Sequence, residues 1–182
     1  MSAPPRNPLQ YNGLDAPSVQ AEPCVAWYEA YGKVVYKYFR FQLVSPDDAE
    51  DFTAETFLRA VRAADRYDAS RAGVQTWLLA IARNVLIDER RSARFRRQVG
   101  IDELRDLAMD EPSPEERMLR REEVGAAMTA MSGLSGEDRE LLSLRFGGEL
   151  EIAELARILD VPSGTVRTRL WRALDRLREQ MA

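Results

Sequence analysis

The sequence contains no histidine and a single cysteine, Cys24. One thiol cannot close a disulfide within the chain. Without imidazoles there are no Cys–His nucleophiles, no Ser–His triads and none of the usual zinc sites. No apolar run approaches the roughly 18 residues that cross a bilayer. Residues 1–23, MSAPPRNPLQYNGLDAPSVQAEP, carry neither the basic nor the apolar stretch of a secretion signal. Their proline, glycine and asparagine content reads as a disordered tail. These absences together point to a cytoplasmic protein. Strand patterning is nearly missing too, and no glycine loop of the phosphate-cradling kind is present.

Most of what remains is helix. Charged residues make up 31% and hydrophobic residues 45% of 182, with a net charge of −4. That total announces no nucleic-acid partner, but its distribution is uneven. Between residues 83 and 97, Arg83, Arg90, Arg91, Arg94, Arg96 and Arg97 face only Asp88 and Glu89. Between 162 and 178, Arg167, Arg169, Arg172, Arg176 and Arg178 face only Asp175. The stretch 102–116 reverses this, with Asp102, Glu103, Asp106, Asp110, Glu111, Glu115 and Glu116 against Arg105. Two basic islands flank an acidic one.

Helical spacing predicts a first helix over 24–43, with Val25, Tyr28, Tyr31, Val35, Tyr38, Phe39 and Gln42 on its apolar side. Ser45 is a suitable N-cap for a second helix, followed by Pro46 at the first position and Asp47 and Asp48 at the positive end of the dipole. DRYDASRAGVQ, 65–75, reads as a loop, and a third helix follows over 76–95. Periodicity fails over 98–116, where DEPSPEE marks a linker. Helix resumes near Glu115. Ser135 caps a further helix that Gly147 and Gly148 close, and helices over 150–159 and 163–180 end the chain. The fold class is therefore all-α: a disordered tail at 1–23, helical units at 24–97 and 120–182, and a flexible acidic linker at 98–119.

The last two helices form a pair. Ile152, Leu155, Ala156 and Leu159 make one apolar stripe, and Val166, Leu170, Ala173, Leu174 and Leu177 another. Between them, Asp160 tolerates a left-handed backbone, Val161 plugs the corner and Ser163 caps the second helix. This is helix-turn-helix patterning with the second helix as reader. Arg167, Thr168, Trp171, Arg172 and Arg176 lie opposite the stripe. Trp171 thus stands among arginines, suited to a base edge or the sugar-phosphate wall, while Arg167 and Arg172 suit guanine or phosphate. A boundary tryptophan packed under arginine stems is the plainer alternative.

In the N-terminal unit, Ala49, Phe52, Thr53, Thr56, Phe57, Ala60 and Val61 share one helix side. The other carries Asp48, Asp51 and Glu55, whose mutual repulsion costs a little stability. A solvated face and a docking face for a basic partner are both open on charge alone. A magnesium site needs a second acidic cluster, and none is evident. The segment 76–97 is apolar at Trp77, Leu78, Ile81, Ala82, Val85 and Leu86, then basic. Its arginine half suits phosphates, with Asn84 and the 65–75 loop left to meet bases.

Taken together, these segments resemble the bacterial RNA polymerase sigma factors of the extracytoplasmic-function type, group 4 of the sigma-70 family. DAEDFTAETFLRA resembles the family's region 2 helix that binds core polymerase. TWLLAIARNVLIDERRS resembles the segment that recognises and melts the minus-ten element. PSGTVRTRLWRAL resembles the region 4 reader of the minus-thirty-five element. The resemblance covers about 24–97 and 115–180, in family order. It implies that Asp48, Asp51, Glu55 and Leu58 dock on the clamp helices of the polymerase largest subunit. Ser70 and Arg71, within the loop that captures a flipped base, would meet minus-ten DNA with Arg83, Asn84, Arg90 and Arg91. Arg145, Gly164, Thr165, Arg167, Thr168, Trp171 and Arg172 would meet the minus-thirty-five duplex.

The beta flap and an anti-sigma factor are further partners that the resemblance implies. Catalysis and cofactors are not. Two departures bear on this: Ala54 stands where the family often has Gln, and Asp160 where it often has Gly. The acidic linker reads as a spacer that avoids duplex DNA on the basic RNA-exit side of polymerase. A stand-alone homodimeric helix-turn-helix regulator is the competing account; it expects a dimer interface, where the sigma reading expects a monomer. Cys24 reads as inert rather than as a redox sensor.

Overall fold

The computed structural model describes residues 21–96 and 128–181. The expected tail, the acidic linker, residues 120–127 and Arg97 lie outside these, as do the side chains of Cys24, Arg94 and Arg96. All regular structure among the described residues is helical.

Helix α1 spans Ala21–Phe41 and buries Val35, Tyr38 and Phe39 at helical spacing. Its first turns depart from the sequence reading. Val25 and Tyr28 are exposed, although the Tyr28 ring still meets Phe57 of α2 in a T-shaped contact at 5.0 Å. Helix α2, Pro46–Arg62, starts as expected. The Ser45 hydroxyl accepts from the Asp48 backbone N–H at 3.1 Å, and Pro46 takes the first turn. Ala49, Thr53, Thr56, Phe57 and Ala60 are buried, and the Thr53 and Thr56 hydroxyls donate to carbonyls four residues back at 2.7 Å. Those two bonds remove the cost of burying a hydroxyl.

A 3₁₀ turn, Ala64–Arg66, leads into the loop before α3, Val74–Arg96. The first half of α3 is buried on every side, from Thr76 through Ala82. Trp27 and Tyr67 close on Trp77 with ring centroids 5.5 and 5.0 Å away. Helix residues buried all round need walls on opposite sides. Helices α1 and α2 supply one.

The other wall is the C-terminal unit. After a helical stretch at 128–132, α4 spans Gly136–Leu142, capped by the Ser135 hydroxyl on the Asp138 N–H at 3.1 Å. Instead of running regularly to its glycines, the helix widens into a π turn, Ser143–Gly147. Helix α5 spans Ile152–Leu159, and Asp160 follows in the left-handed conformation (φ 54, ψ 49) expected for the corner. Helix α6, Ser163–Met181, takes Ser163 as its first residue rather than as a preceding cap.

The two helical units share one core. Val35, Tyr38, Leu79 and Ile81 belong to the same apolar cluster as Leu144, Leu150, Leu155 and Val166. A second cluster joins Phe41 and Leu43 to Met131, Leu134, Leu142 and Ala173.

Candidate nucleic-acid interface

Helix α6 buries Val166 and Ala173, and on the opposite side Arg167, Thr168, Trp171 and Arg172 are exposed. Trp171 is 66% exposed, so packing beneath arginine stems is not where this ring lies. Gly164 sits in open space at the start of the helix, with Thr165 half-buried beside it. Arg167 and Arg172 have no acidic partner among the described residues, whereas Arg176 pairs with Asp138 at 2.6 Å. Such unpaired guanidiniums are the groups that hold guanine edges or phosphates. Arg145 is placed differently. Its guanidinium donates to the Leu150 carbonyl at 2.9 Å and lies 3.4 Å from Glu151, so it braces the turn between α4 and α5.

The minus-ten candidates lie along a second surface. Ser70 and Arg71 are exposed in the loop ahead of α3. Asp68 organises that loop by accepting from the Ser70 hydroxyl at 2.6 Å and backbone N–H at 2.9 Å. These two bonds hold the Asp68 carboxyl below its ordinary value. The Tyr67 hydroxyl donates to the Ala72 carbonyl at 3.2 Å and pins the other end. Arg83 and Asn84 are half-buried in mid-helix, and Arg83 donates to Glu140 at 2.7 Å. Arg90 donates to Gln42 at 2.8 Å, and Arg91 is exposed. The six residues therefore share one end-to-end stretch but not one state: three are tied to protein groups or half-covered, and Ser70, Arg71 and Arg91 are open.

A third surface is acidic. Asp48, Asp51 and Leu58 are exposed along α2, away from its buried side, with Leu58 at 52%. Glu55 shares that face but is not a free charge, since Arg59 donates to it at 2.7 Å and to Asp88 of α3 at 2.7 Å. Partial burial works against the Arg59 charge, yet the bonds from Glu55 and Asp88 outweigh it and raise the guanidinium above its ordinary value. The sequence reading missed this bridge, and it missed Gln75, Glu140, Gly147, Glu149 and Glu154, which join the two units.

Two helical units, one bearing a helix-turn-helix with an open basic face and the other an acidic helix beside a basic one, define a bipartite all-helical protein. The sequence matches the Sigma-70 region 2 family over residues 27–96 and the Sigma-70 region 4 family over residues 130–179. It is 35% identical over 150 residues to the ECF RNA polymerase sigma factor BldN of Streptomyces coelicolor, covering 82% of this chain and 57% of that protein. It is 31% identical to SigL of Mycobacterium tuberculosis over 169 residues, 90% of this chain and 91% of that one. The fold is also similar to that of the sigma factor RpoE in its complex with the anti-sigma factor NepR from Bartonella quintana. That match has a TM-score of 0.66 at 21% identity and covers 86% of this chain and 96% of the other. The chain belongs to the extracytoplasmic-function sigma factors of the sigma-70 family.

Proposed function

We propose that this chain binds core RNA polymerase and directs promoter-specific transcription initiation, with no catalysis of its own. Residues 24–97 act as region 2, binding core polymerase and recognising and melting the minus-ten element. Residues 120–182 act as region 4 and read the minus-thirty-five element. The observation that carries this is one chain bearing both an acidic helix face with an exposed leucine, Asp48, Asp51, Glu55 and Leu58, and an open basic reader helix, Arg167, Trp171 and Arg172. An acidic face around an apolar residue suits a basic, partly apolar partner surface, where charge steers and the leucine anchors. The polymerase clamp helices and beta flap are the proposed contacts, and an anti-sigma factor is the proposed regulator. No described helix is long and apolar enough to cross a membrane, and the site of action proposed is the cytoplasm.

Retention of the purified chain on bacterial core polymerase tests the reading directly. Wild type binds, and Asp51→Arg or Glu55→Arg weakens retention by about tenfold or more. Failure of a folded, monomeric wild type to bind core would transfer the function to stand-alone duplex recognition through α6.

A further inference from the structure

Within the N-terminal unit, apart from the seam where the two helical units meet, one guanidinium joins the acidic helix to the basic one. Arg59 Nε donates to Glu55 at 2.7 Å, and its Nη1 donates to Asp88 of α3 at 2.7 Å. Two edges of one planar group therefore hold carboxylates from two helices, a grip that a lysine ammonium does not reproduce. Glu55 and Arg59 stand four residues apart on α2 with the acid on the N-terminal side, the favoured order. All three side chains are partly exposed, Arg59 at 29%, Glu55 at 37% and Asp88 at 44%. Ion pairs so placed add little to stability. The helices are joined without them, since Phe57 and Ala60 of α2 share an apolar cluster with Ile81, Val85 and Leu86 of α3.

What the bridge changes is the charge that each helix shows. On α2, Asp48, Asp51 and Glu55 form one row, and Arg59 occupies the last of them. Asp51 has no partner among the described residues, and Asp48 accepts only from its neighbour Ser45, at 2.8 Å from the hydroxyl and 3.1 Å from its own backbone N–H to that oxygen. On α3, Asp88 and Glu89 are the only acids between residues 83 and 97. Asp88 precedes the exposed Arg91 by three positions, the spacing at which an aspartate and an arginine pair along a helix. Asp88 pairs across to α2 instead, and Arg91 has no acidic partner among the described residues.

We infer that Arg59 is a positioning residue that sorts charge between the two helices. By occupying Glu55 it leaves Asp48 and Asp51 as the uncompensated charges of the docking face, and by drawing Asp88 off α3 it leaves Arg91 open to a strand phosphate. The inference rests on the proposed polymerase and minus-ten roles of these faces. Its consequence is an opposition. The side chain that lowers attraction for a basic partner at α2 raises attraction for an anionic strand at α3. An apolar residue in its place would release Glu55 to the partner, and would release Asp88 to take Arg91 and repel phosphate.

The full chain is compared as wild type, Arg59→Leu, Arg59→Lys, and Arg59→Leu combined with either Asp88→Asn or Glu55→Gln. Retention on core polymerase reads α2. Binding of a fluorescent single-stranded DNA of mixed sequence by the purified chain, over a salt series, reads α3, and far-ultraviolet dichroism reads helix content. Arg59→Leu should raise core retention severalfold and weaken strand binding severalfold. Its slope of log affinity against log salt should be shallower by about 0.7, the loss of one phosphate contact on a single strand. The two double variants carry the same net charge, so they separate sorting from total charge. Adding Asp88→Asn should recover strand affinity and slope, and adding Glu55→Gln should recover neither. Arg59→Lys keeps the charge without the two-edged grip and should move both readouts the same way by less, which carries the test if Arg59→Leu fails to fold. Equal recovery in both doubles, or core and strand binding that move together or not at all, would overturn charge sorting and leave Arg59 a plain brace. A folded wild type that binds neither core nor strand would instead overturn the functional reading beneath it.

Discussion

Helices α3 and α6 both carry a tryptophan and a row of arginines, and the structure treats them in opposite ways. Trp77 is 2% exposed with Trp27 and Tyr67 against it, and Trp171 is 66% exposed with no ring contact among the described residues. Arg83 is bound by Glu140, whereas Arg167 and Arg172 face solvent unpaired among the described residues. The cause lies in the number of walls each helix touches. Helix α6 packs on one side only, so its stripe is amphipathic, while α3 is enclosed between α1–α2 and the C-terminal unit. A helix that reads a duplex needs its outer face ready, and α6 has it. Under the proposed minus-ten role α3 would meet DNA only after melting, and it is the first half of α3 that is covered.

The two tryptophans give the sharpest way to break this contrast. Trp77→Ala leaves a large cavity at the meeting of three aromatic rings, and the expected loss of stability is about 3–5 kcal/mol in urea unfolding. Trp171→Ala should leave stability within about 0.5 kcal/mol of wild type. If the two substitutions destabilised equally, Trp171 would have a packing role that its exposure denies. A smaller effect separates the arginines. Arg172→Ala should weaken binding of polymerase-associated protein to a minus-thirty-five duplex by about 1–3 kcal/mol, with no change in unfolding midpoint. An equal loss on a duplex lacking that element would make Arg172 a phosphate contact rather than a base reader.

What the sequence disclosed follows the same division. The Ser45 and Ser135 caps and the left-handed Asp160 corner are set by residues within a few positions of one another, and each stands as read. So do Ala49, Thr53, Thr56, Phe57 and Ala60 on the buried side of α2, where Phe52 and Val61 are only half-buried, and the exposed arginines of α6, because one stripe per helix is enough to place them. The seam was not legible, since its pairs join residues such as Gln75 and Gly148, or Arg83 and Glu140, that no local pattern relates. One trace of it was present. The run Trp77, Leu78, Leu79, Ala80, Ile81, Ala82 has no polar interruption, and a helix apolar all round is a helix covered all round. The π turn was equally hidden, because Gly147 and Gly148 read as a helix stop. Their second use, as the flat surface laid on α1 and Leu79, depends on a neighbour the local sequence does not contain.

The loop ahead of α3 offers the gentlest test, since Ser70 and Arg71 stay exposed although region 4 touches the Arg71 carbonyl. Its shape depends on the ionised Asp68 carboxylate, which accepts the Ser70 hydroxyl and N–H and is thereby held below its ordinary value. A carboxyl with a depressed folded value contributes its stabilisation above the unfolded value and loses it as pH falls through the folded one. The turn should therefore be unchanged from pH 7 down to pH ~5, and it should loosen only below the usual carboxylate range near pH ~4. The Ser70 amide resonance followed by NMR reads this directly. Its midpoint should fall below that of a free aspartate, and Asp68→Asn should abolish the titration. A midpoint at the ordinary value would mean that the turn is held by the Tyr67–Ala72 bond alone, and the loop would then be shaped by the aromatic core beneath it rather than by its own residues.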